Sequence, residues 1–181
     1  MPLVIMLVCG TMAMSVRAQF GQQGSKLVGT GALGGAQQGT AISLSSDGNT
    51  AVVGGSSDNG GAGAAWVYTR SRGVWSQQAK LVGIDAARPS NEEQGFSVSL
   101  SADGNTAIVG APGDNLNVGA AWVYTRSEGV WTQQGPKLVG TGALGDAKQG
   151  ISVSLSGDGN TAIVGGTFDD GALGAAWVYK R

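Results

Sequence analysis

The hexapeptide Gly-Ala-Ala-Trp-Val-Tyr occurs three times, at Gly63–Tyr68, Gly119–Tyr124 and Gly174–Tyr179. Its tryptophans lie 56 residues apart (66 to 122) and then 55 apart (122 to 177). A second motif, Asp-Gly-Asn-Thr-Ala, keeps step at Asp47–Ala51, Asp103–Ala107 and Asp158–Ala162. A fixed period of this size means one supersecondary unit repeated, and each unit must bury its apolar face against the next. Architectures of this kind build extended binding surfaces more readily than a single reactive centre.

The middle copy shows what the unit is. In Phe96–Ser101, Val98 and Leu100 alternate with Ser97, Ser99 and Ser101, the period-two pattern of a strand. Asp103-Gly104 between apolar runs predicts a hairpin, because Gly accepts positive φ. Thr106–Gly110 is the expected second strand, and Ala111–Gly119 a loop rich in Gly, Pro, Asp and Asn. Ala120–Arg126 is the third strand, with Trp122 and Tyr124 on one face. Val130–Gln134 and Lys137–Val139 make a fourth, broken by Gly135-Pro136, which suits an outer edge.

Four short antiparallel strands per repeat predict an all-β fold of β-propeller blades. The serine-rich first strand would lie nearest the axis, where blades crowd, and Trp122 would fill the wider gap farther out. Burying such an indole removes roughly 200 Å² from water, worth about 5 kcal/mol as an upper bound. A stacked β-solenoid is the rival, and the tight Asp-Gly hairpins argue against it. The repeats are placed at 39–94, 95–149 and 150–181 together with 19–38.

Composition removes several kinds of chemistry. The chain has 33 glycines, 13% charged residues and a net charge of −1, with no basic patch for nucleic acid. It has no histidine, hence neither the commonest general base nor the commonest zinc ligand. The single cysteine, Cys9, precludes an internal disulfide. No cofactor is expected.

The N-terminus stands apart. Pro2–Met14 is apolar but too short for a transmembrane span, which takes about 20 residues. Val16-Arg17-Ala18 places small residues for cleavage after Ala18, so 1–18 reads as a signal peptide and the product as secreted or at the cell surface. A wrongly assigned translational start is the alternative, since no Lys or Arg precedes the apolar run.

The third copy reaches Arg181 directly after its third strand, Ala175–Lys180. Phe20–Gly31 copies Trp131–Gly142, the fourth strand of the middle copy. The expectation is that Gln22–Val28 pairs with the open edge of Ala175–Lys180 and completes the last blade. Closed propellers typically have four to eight blades, so three are too few. A homodimer making a six-bladed ring, with the N-terminal strand donated across the interface, is one solution. An open three-blade segment or an incomplete gene product is the other.

Gly95-Phe96-Ser97-Val98-Ser99-Leu100, Ile108-Val109-Gly110-Ala111-Pro112 and Gly119–Tyr124 together resemble the FG-GAP repeat. The resemblance implies a propeller like that of integrin α-subunit heads and many bacterial secreted proteins, with a role in protein binding or cell adhesion. It also implies, for many blades, a calcium loop of alternating carboxylates between the first two strands. Here the matching loops offer only Asp47, Asp103 or Asp158, and calcium wants six to eight oxygens. A hairpin with Asp folded onto its own backbone is therefore expected, and no metal site.

Asp58-Asn59, Asp114-Asn115 and Asp169-Asp170 would gather at one end of the propeller, most simply as Asx turns. Arg70, Arg126 and Lys180 follow the third strands and would stack on Trp75 and Trp131. The crossing loop Ile84–Gln94 departs most from its counterparts Thr30–Gln38 and Thr141–Gln149. Its Asp85, Arg88, Glu92 and Glu93 are the candidate ligand contacts. The leading function is a non-catalytic module binding protein or carbohydrate. The alternatives are a glycosidase or lyase working through carboxylates, which needs two carboxyl groups about 5–10 Å apart, or a fragment of a larger propeller with no independent function.

Overall fold

The computed structural model describes residues 19–87 and 91–181. The expected signal peptide and Arg88 lie outside the described residues. Among the described residues, eleven strands form three antiparallel sheets. The first contains β1 (Ile42–Leu44), β2 (Thr50–Gly55), β3 (Ala64–Ser71) and β4 (Val74–Leu81) in that order. The second contains β5 (Ser97–Leu100), β6 (Thr106–Ala111), β7 (Ala120–Ser127) and β8 (Val130–Gln133). The third has only β9 (Ser152–Leu155), β10 (Thr161–Gly166) and β11 (Ala175–Lys180). Each sheet is a meander, as the repeat predicts.

The break at Gly135-Pro136 falls as expected. β8 stops at Gln133; the Gln134 N–H still donates to the Val123 carbonyl at 2.7 Å, and beyond Gly135-Pro136 Ala121 and Leu138 exchange both backbone bonds, at 3.1 and 2.7 Å. In the first sheet, where no proline intervenes, β4 runs on to Leu81 with a register shift between Val67 and Tyr68.

The core lies between sheets. Period-two alternation sends Val52, Ala65 and Val67 of the first sheet against Val98, Leu100 and Val109 of the second. Ile108 and Ala121 leave the second sheet on its other side and meet Ala162 and Val164 of the third. Trp66 and Trp122 are fully buried. The inner strands run side by side, and their serines act across the junctions. Ser43 Oγ accepts the Leu100 N–H and Ser99 Oγ the Leu155 N–H, both at 3.0 Å.

The Asp-Gly hairpins fold onto themselves as predicted. Ser45 Oγ–H and Asn49 N–H both donate to Asp47 Oδ1, at 2.6 and 2.9 Å. Ser101 and Asn105 serve Asp103 the same way, and Ser156 and Asn160 serve Asp158. These bonds, led by the serine hydroxyl, hold Asp47 and Asp158 at about 2 and also lower Asp103.

One expectation is corrected. Gln22–Val28 is not on the edge of β11 in this chain; it lies against the first sheet. Arg70 Nη1 donates to Gln23 Oε1 at 3.0 Å, and Trp66 Nε1–H donates to the Thr30 carbonyl at 2.9 Å. Gln38 clamps Gly29 through both its backbone N–H and its C=O, at 2.6 and 3.0 Å. Gly29 sits so close to the Trp66 indole that a Cβ would collide with it. The segment thus holds the place of an outer strand preceding the first sheet, two sheets away from β11.

Two outcomes follow from this packing. Trp122→Ala should cost about 3–5 kcal/mol in chemical denaturation, because the cavity spans a junction that neither sheet alone can refill. The hairpin carboxyls have folded pKa values below the unfolded ~3.9, so their stabilisation is complete above that value and is lost as pH falls toward about 2. The thermal midpoint should therefore drop between roughly pH 4 and pH 2. Replacing Ser45, Ser101 and Ser156 together by Ala should flatten that drop; an unchanged pH profile would remove the hairpins as its cause.

Candidate functional site

The loops after the second strands and the crossing loops meet at one end of the sheets. Each second-strand loop holds a short helical turn with left-handed residues inside it: Asp58–Gly61, Asp114–Asn117 and Asp169–Ala172. Their leading aspartates form neither a cation ring nor plain Asx turns. Asp58 Oδ1 accepts the Leu33 N–H at 2.7 Å, and Oδ2 pairs with Lys80 Nζ at 2.6 Å. Asp114 does the same with the Ala87 N–H at 2.9 Å and Lys137 Nζ at 2.6 Å. Both carboxylates are buried, so each lysine neutralises a charge that would otherwise be costly there. The same lysines lie over the tryptophan rings, Lys80 5.2 Å from Trp66 and Lys137 5.9 Å from Trp122. Asp169 Oδ1 takes the Leu144 N–H at 2.7 Å, but its second oxygen meets no lysine among the described residues.

Sequence reasoning missed these lysines. The signal was present: Lys26, Lys80 and Lys137 all precede Leu-Val-Gly, once in every copy of the fourth strand.

Asp85 is a strut. Its Oδ1 accepts Trp122 Nε1–H at 2.6 Å and Gln133 Nε2–H at 3.0 Å; its Oδ2 accepts the Lys137 N–H at 2.8 Å. Partial burial pulls its pKa up, and these hydrogen bonds outweigh that and leave it below the usual carboxylate range. The other tryptophans donate instead to backbone carbonyls, Trp66 to Thr30 and Trp177 to Thr141. The following residues there are Gly31 and Gly142, at φ +75° and +78°. Asp85 does not take up a positive φ, and its carboxylate replaces the carbonyl. Burial, with the Asp85 charge second, raises the pKa of Tyr124.

Glu92 is buried, and its carbonyl accepts the Gly113 N–H at 3.2 Å. Its Oε1 has no partner among the described residues. Glu93 is half-buried at φ +61°, a conformation shared by its counterparts Gln37 and Lys148, so it follows the repeat. Of the loop's described candidates, Glu92 is buried, Asp85 is half-buried with its carboxylate engaged in three hydrogen bonds, and Glu93 is half-buried.

More individual is the neighbouring turn. Asn115, Leu116 and Asn117 are all left-handed, at φ +49°, +58° and +69°. The counterparts of Leu116 are Gly60 and Gly171. Leu116 is 64% exposed, and Ile84 on the adjoining crossing loop is 88% exposed where the other copies have Thr30 and Thr141. The Ala87–Asp114 and Gly113–Glu92 bonds tie the two loops together.

The stacked cations are present. Arg70 lies over Trp75 and Arg126 over Trp131, each 5.4 Å from the ring centre. The third member is Arg181 and not Lys180: Arg181 Nε donates to Asn160 Oδ1 as Arg126 Nε does to Asn105 Oδ1. A cleft of ≈ 300 Å³ between the second and third sheets, lined by Val123, Leu138, Leu155, Tyr179 and Arg181, opens where β8 breaks off. Among the described residues, no three His, Cys, Asp or Glu side chains are grouped to hold a metal ion.

No curated protein matches the chain. Among solved structures, a putative 6-phosphogluconolactonase from Bacteroides fragilis is similar over 77% of this chain and 34% of that one, at 15% identity and TM-score 0.52. Sqt1 from Saccharomyces cerevisiae is similar over 81% and 32%, at 14% and 0.51. The hydrazine synthase of Kuenenia stuttgartiensis is similar over 87% and 36%, at 15% and 0.50. These likenesses show the fold, a β-propeller. The chain spans about a third of the length of each. Residues 75–124, from β4 of one sheet to β7 of the next, match the FG-GAP repeat. The chain is thus a β-propeller chain carrying an FG-GAP repeat over residues 75–124.

Proposed function

We propose that this chain is an exported, non-catalytic propeller module that binds a protein or carbohydrate partner through the loop end of its second blade. The observation that carries the reading is Leu116. A leucine in the left-handed region costs roughly 1–2 kcal/mol relative to its right-handed form. Its side chain is exposed, so burial in the fold does not offset that cost. The other two copies place glycine there and avoid it. Strain kept at an exposed apolar residue fits a contact surface. Ile84, on the loop stitched to it, supplies a second exposed aliphatic anchor, and that loop also carries Arg88 and the half-buried Glu93 in its sequence. Aliphatic anchors of this kind suit a pocket on a protein surface.

The disposition of the carboxylates supports a binding role over acid–base catalysis. Asp58 and Asp114 are bound to lysines, Asp85 is spent on three hydrogen bonds, and the hairpin aspartates are held by serines. A glycosidase needs one carboxyl whose pKa is raised to act as the acid. Export is supported by the apolar Pro2–Met14 stretch and Val16-Arg17-Ala18.

Leu116→Gly should raise stability by about 1 kcal/mol through relief of the backbone. It should also weaken capture of the partner by at least about tenfold, together with Ile84→Ser, in a glycan array and a pull-down from the native surface. Retention of the same partner at unchanged affinity by the double variant would exclude this face. Expression of the full chain in a secreting bacterium should yield an extracytoplasmic product starting at Gln19, read by N-terminal sequencing; an uncleaved cytoplasmic product would exclude export.

A further inference from the structure

The loops after the second strands carry, at matching places, Asn59-Gly60, Asn115-Leu116 and Asp170-Gly171. The leading residue of each pair has the same left-handed backbone: φ +50° and ψ +48° for Asn59, φ +49° and ψ +54° for Asn115, φ +46° and ψ +56° for Asp170. All three are exposed. One backbone shape thus accepts an asparagine in two copies and an aspartate in the third. Asn-Gly occurs nowhere else in the chain.

Asn59-Gly60 is also free of the restraints that hold similar pairs elsewhere. Among the described residues, no hydrogen bond engages the Asn59 side chain or the Gly60 N–H, and no atom lies within 4 Å of where a Gly60 Cβ would stand. The turn is anchored on either side of the pair. The Asn59 N–H donates to the Leu33 carbonyl at 2.8 Å, and the Gly61 carbonyl accepts the Glu93 N–H at 2.9 Å. The Asp-Gly hairpins differ. In Asp47-Gly48 both carboxylate oxygens are engaged, Oδ1 by Ser45 and Asn49 and Oδ2 by the Asn49 amide. The Gly48 N–H there donates to the Ser45 carbonyl at 2.9 Å. Asn49 is itself held, its Nδ2 by Asp47 and its Oδ1 by Arg70 Nε–H.

We infer that Asn59-Gly60 is a self-modifying site, which converts with water to aspartate and isoaspartate and adds a negative charge to the loop end. The Gly60 nitrogen bonds to Asn59 Cγ and the Cγ–Nδ2 bond breaks. The Gly60 amide proton departs with the side-chain amide as ammonia. Water then opens the cyclic imide: breaking the bond to Cγ gives aspartate, and breaking the bond to the main-chain carbonyl carbon gives isoaspartate. Water is the one co-reactant. Attack requires rotation about the Asn59 Cα–C bond, and glycine permits it because no Cβ crowds the incoming nitrogen. In the middle copy Leu116 stands in that place and shields Asn115 from the same reaction. The turn accommodates the aspartate product, since Asp170 already has that backbone shape. The new charge lies next in sequence to Asp58 of the Asp58–Lys80 pair and close to the carbonyl that anchors Glu93. Ageing of the chain therefore changes the face that carries the crossing loop Ile84–Gln94. The chemistry is independent of what that face binds.

Purified full chain kept in warm, mildly alkaline buffer should gain one mass unit in the peptide containing Asn59. Peptide mapping should resolve separate aspartate and isoaspartate products. Asn59 should convert at least about tenfold faster than Asn115, because only its following residue lacks a Cβ. Gly60→Leu places in this turn the residue type the middle copy already carries there, and should stop the gain. Leu116→Gly should install the reaction at Asn115. An intact Asn59, an equal rate in Gly60→Leu, or an Asn115 that stays intact in Leu116→Gly would each overturn the inference.

Discussion

Each sheet carries an indole that its own strands cannot cover. Trp66, Trp122 and Trp177 stand on third strands, and each ring lies so close to a glycine of the preceding outer segment (Gly29, Gly83 or Gly140) that a Cβ there would collide with it. Only a residue without Cβ lets main chain lie flat on an aromatic face, and close packing makes that contact intolerant of any addition. The indole N–H finds its acceptor on the same crossing segment, so the contact is fixed in direction as well as distance. No sheet here is complete alone. The order of the blades, the path of the crossing loops and the position of the lysine–aspartate pairs all follow from this dependence on the neighbour before.

Much of this was legible in the residues. The tryptophan spacing sets the number of sheets, the serine alternation sets the inner strands, and Gly135-Pro136 marks where β8 leaves its partner. What sequence similarity cannot convey is which sheet a displaced strand joins. Phe20–Gly31 resembles Trp131–Gly142 because both perform the same two-sided task. Similarity identifies the task, while the seat is decided by Gln38, which clamps Gly29 at the first sheet. The third of the repeated cations slipped by one residue for a like reason. Lys180 and Arg181 are both cationic, and only hairpin geometry distinguishes them.

The site was less legible, and the reason is physical. A loop that departs from its repeats signals some altered demand, yet not whether the demand comes from inside or outside the fold. Asp85 answers an internal one, replacing a carbonyl that Gly31 and Gly142 present by adopting positive φ. Asp58 and Asp114 looked like loop polar residues because their lysines lie more than twenty positions along the chain. Leu116 attracts no notice in a sequence. Its oddity is conformational, and it emerges only when the backbone shows which counterpart positions require glycine.

The exposed faces at the two ends of the arc are different surfaces, one bearing Ile42 and Leu44, the other Ile163 and Val178. Between them, the shape of the arc is set by the small rotation from each blade to the next. That rotation rests on how closely Gly95 and Gly150 let neighbouring backbones approach. A single methyl group at either position would strike the carbonyl of Ala64 or Ala120 and alter the pitch of the whole arc.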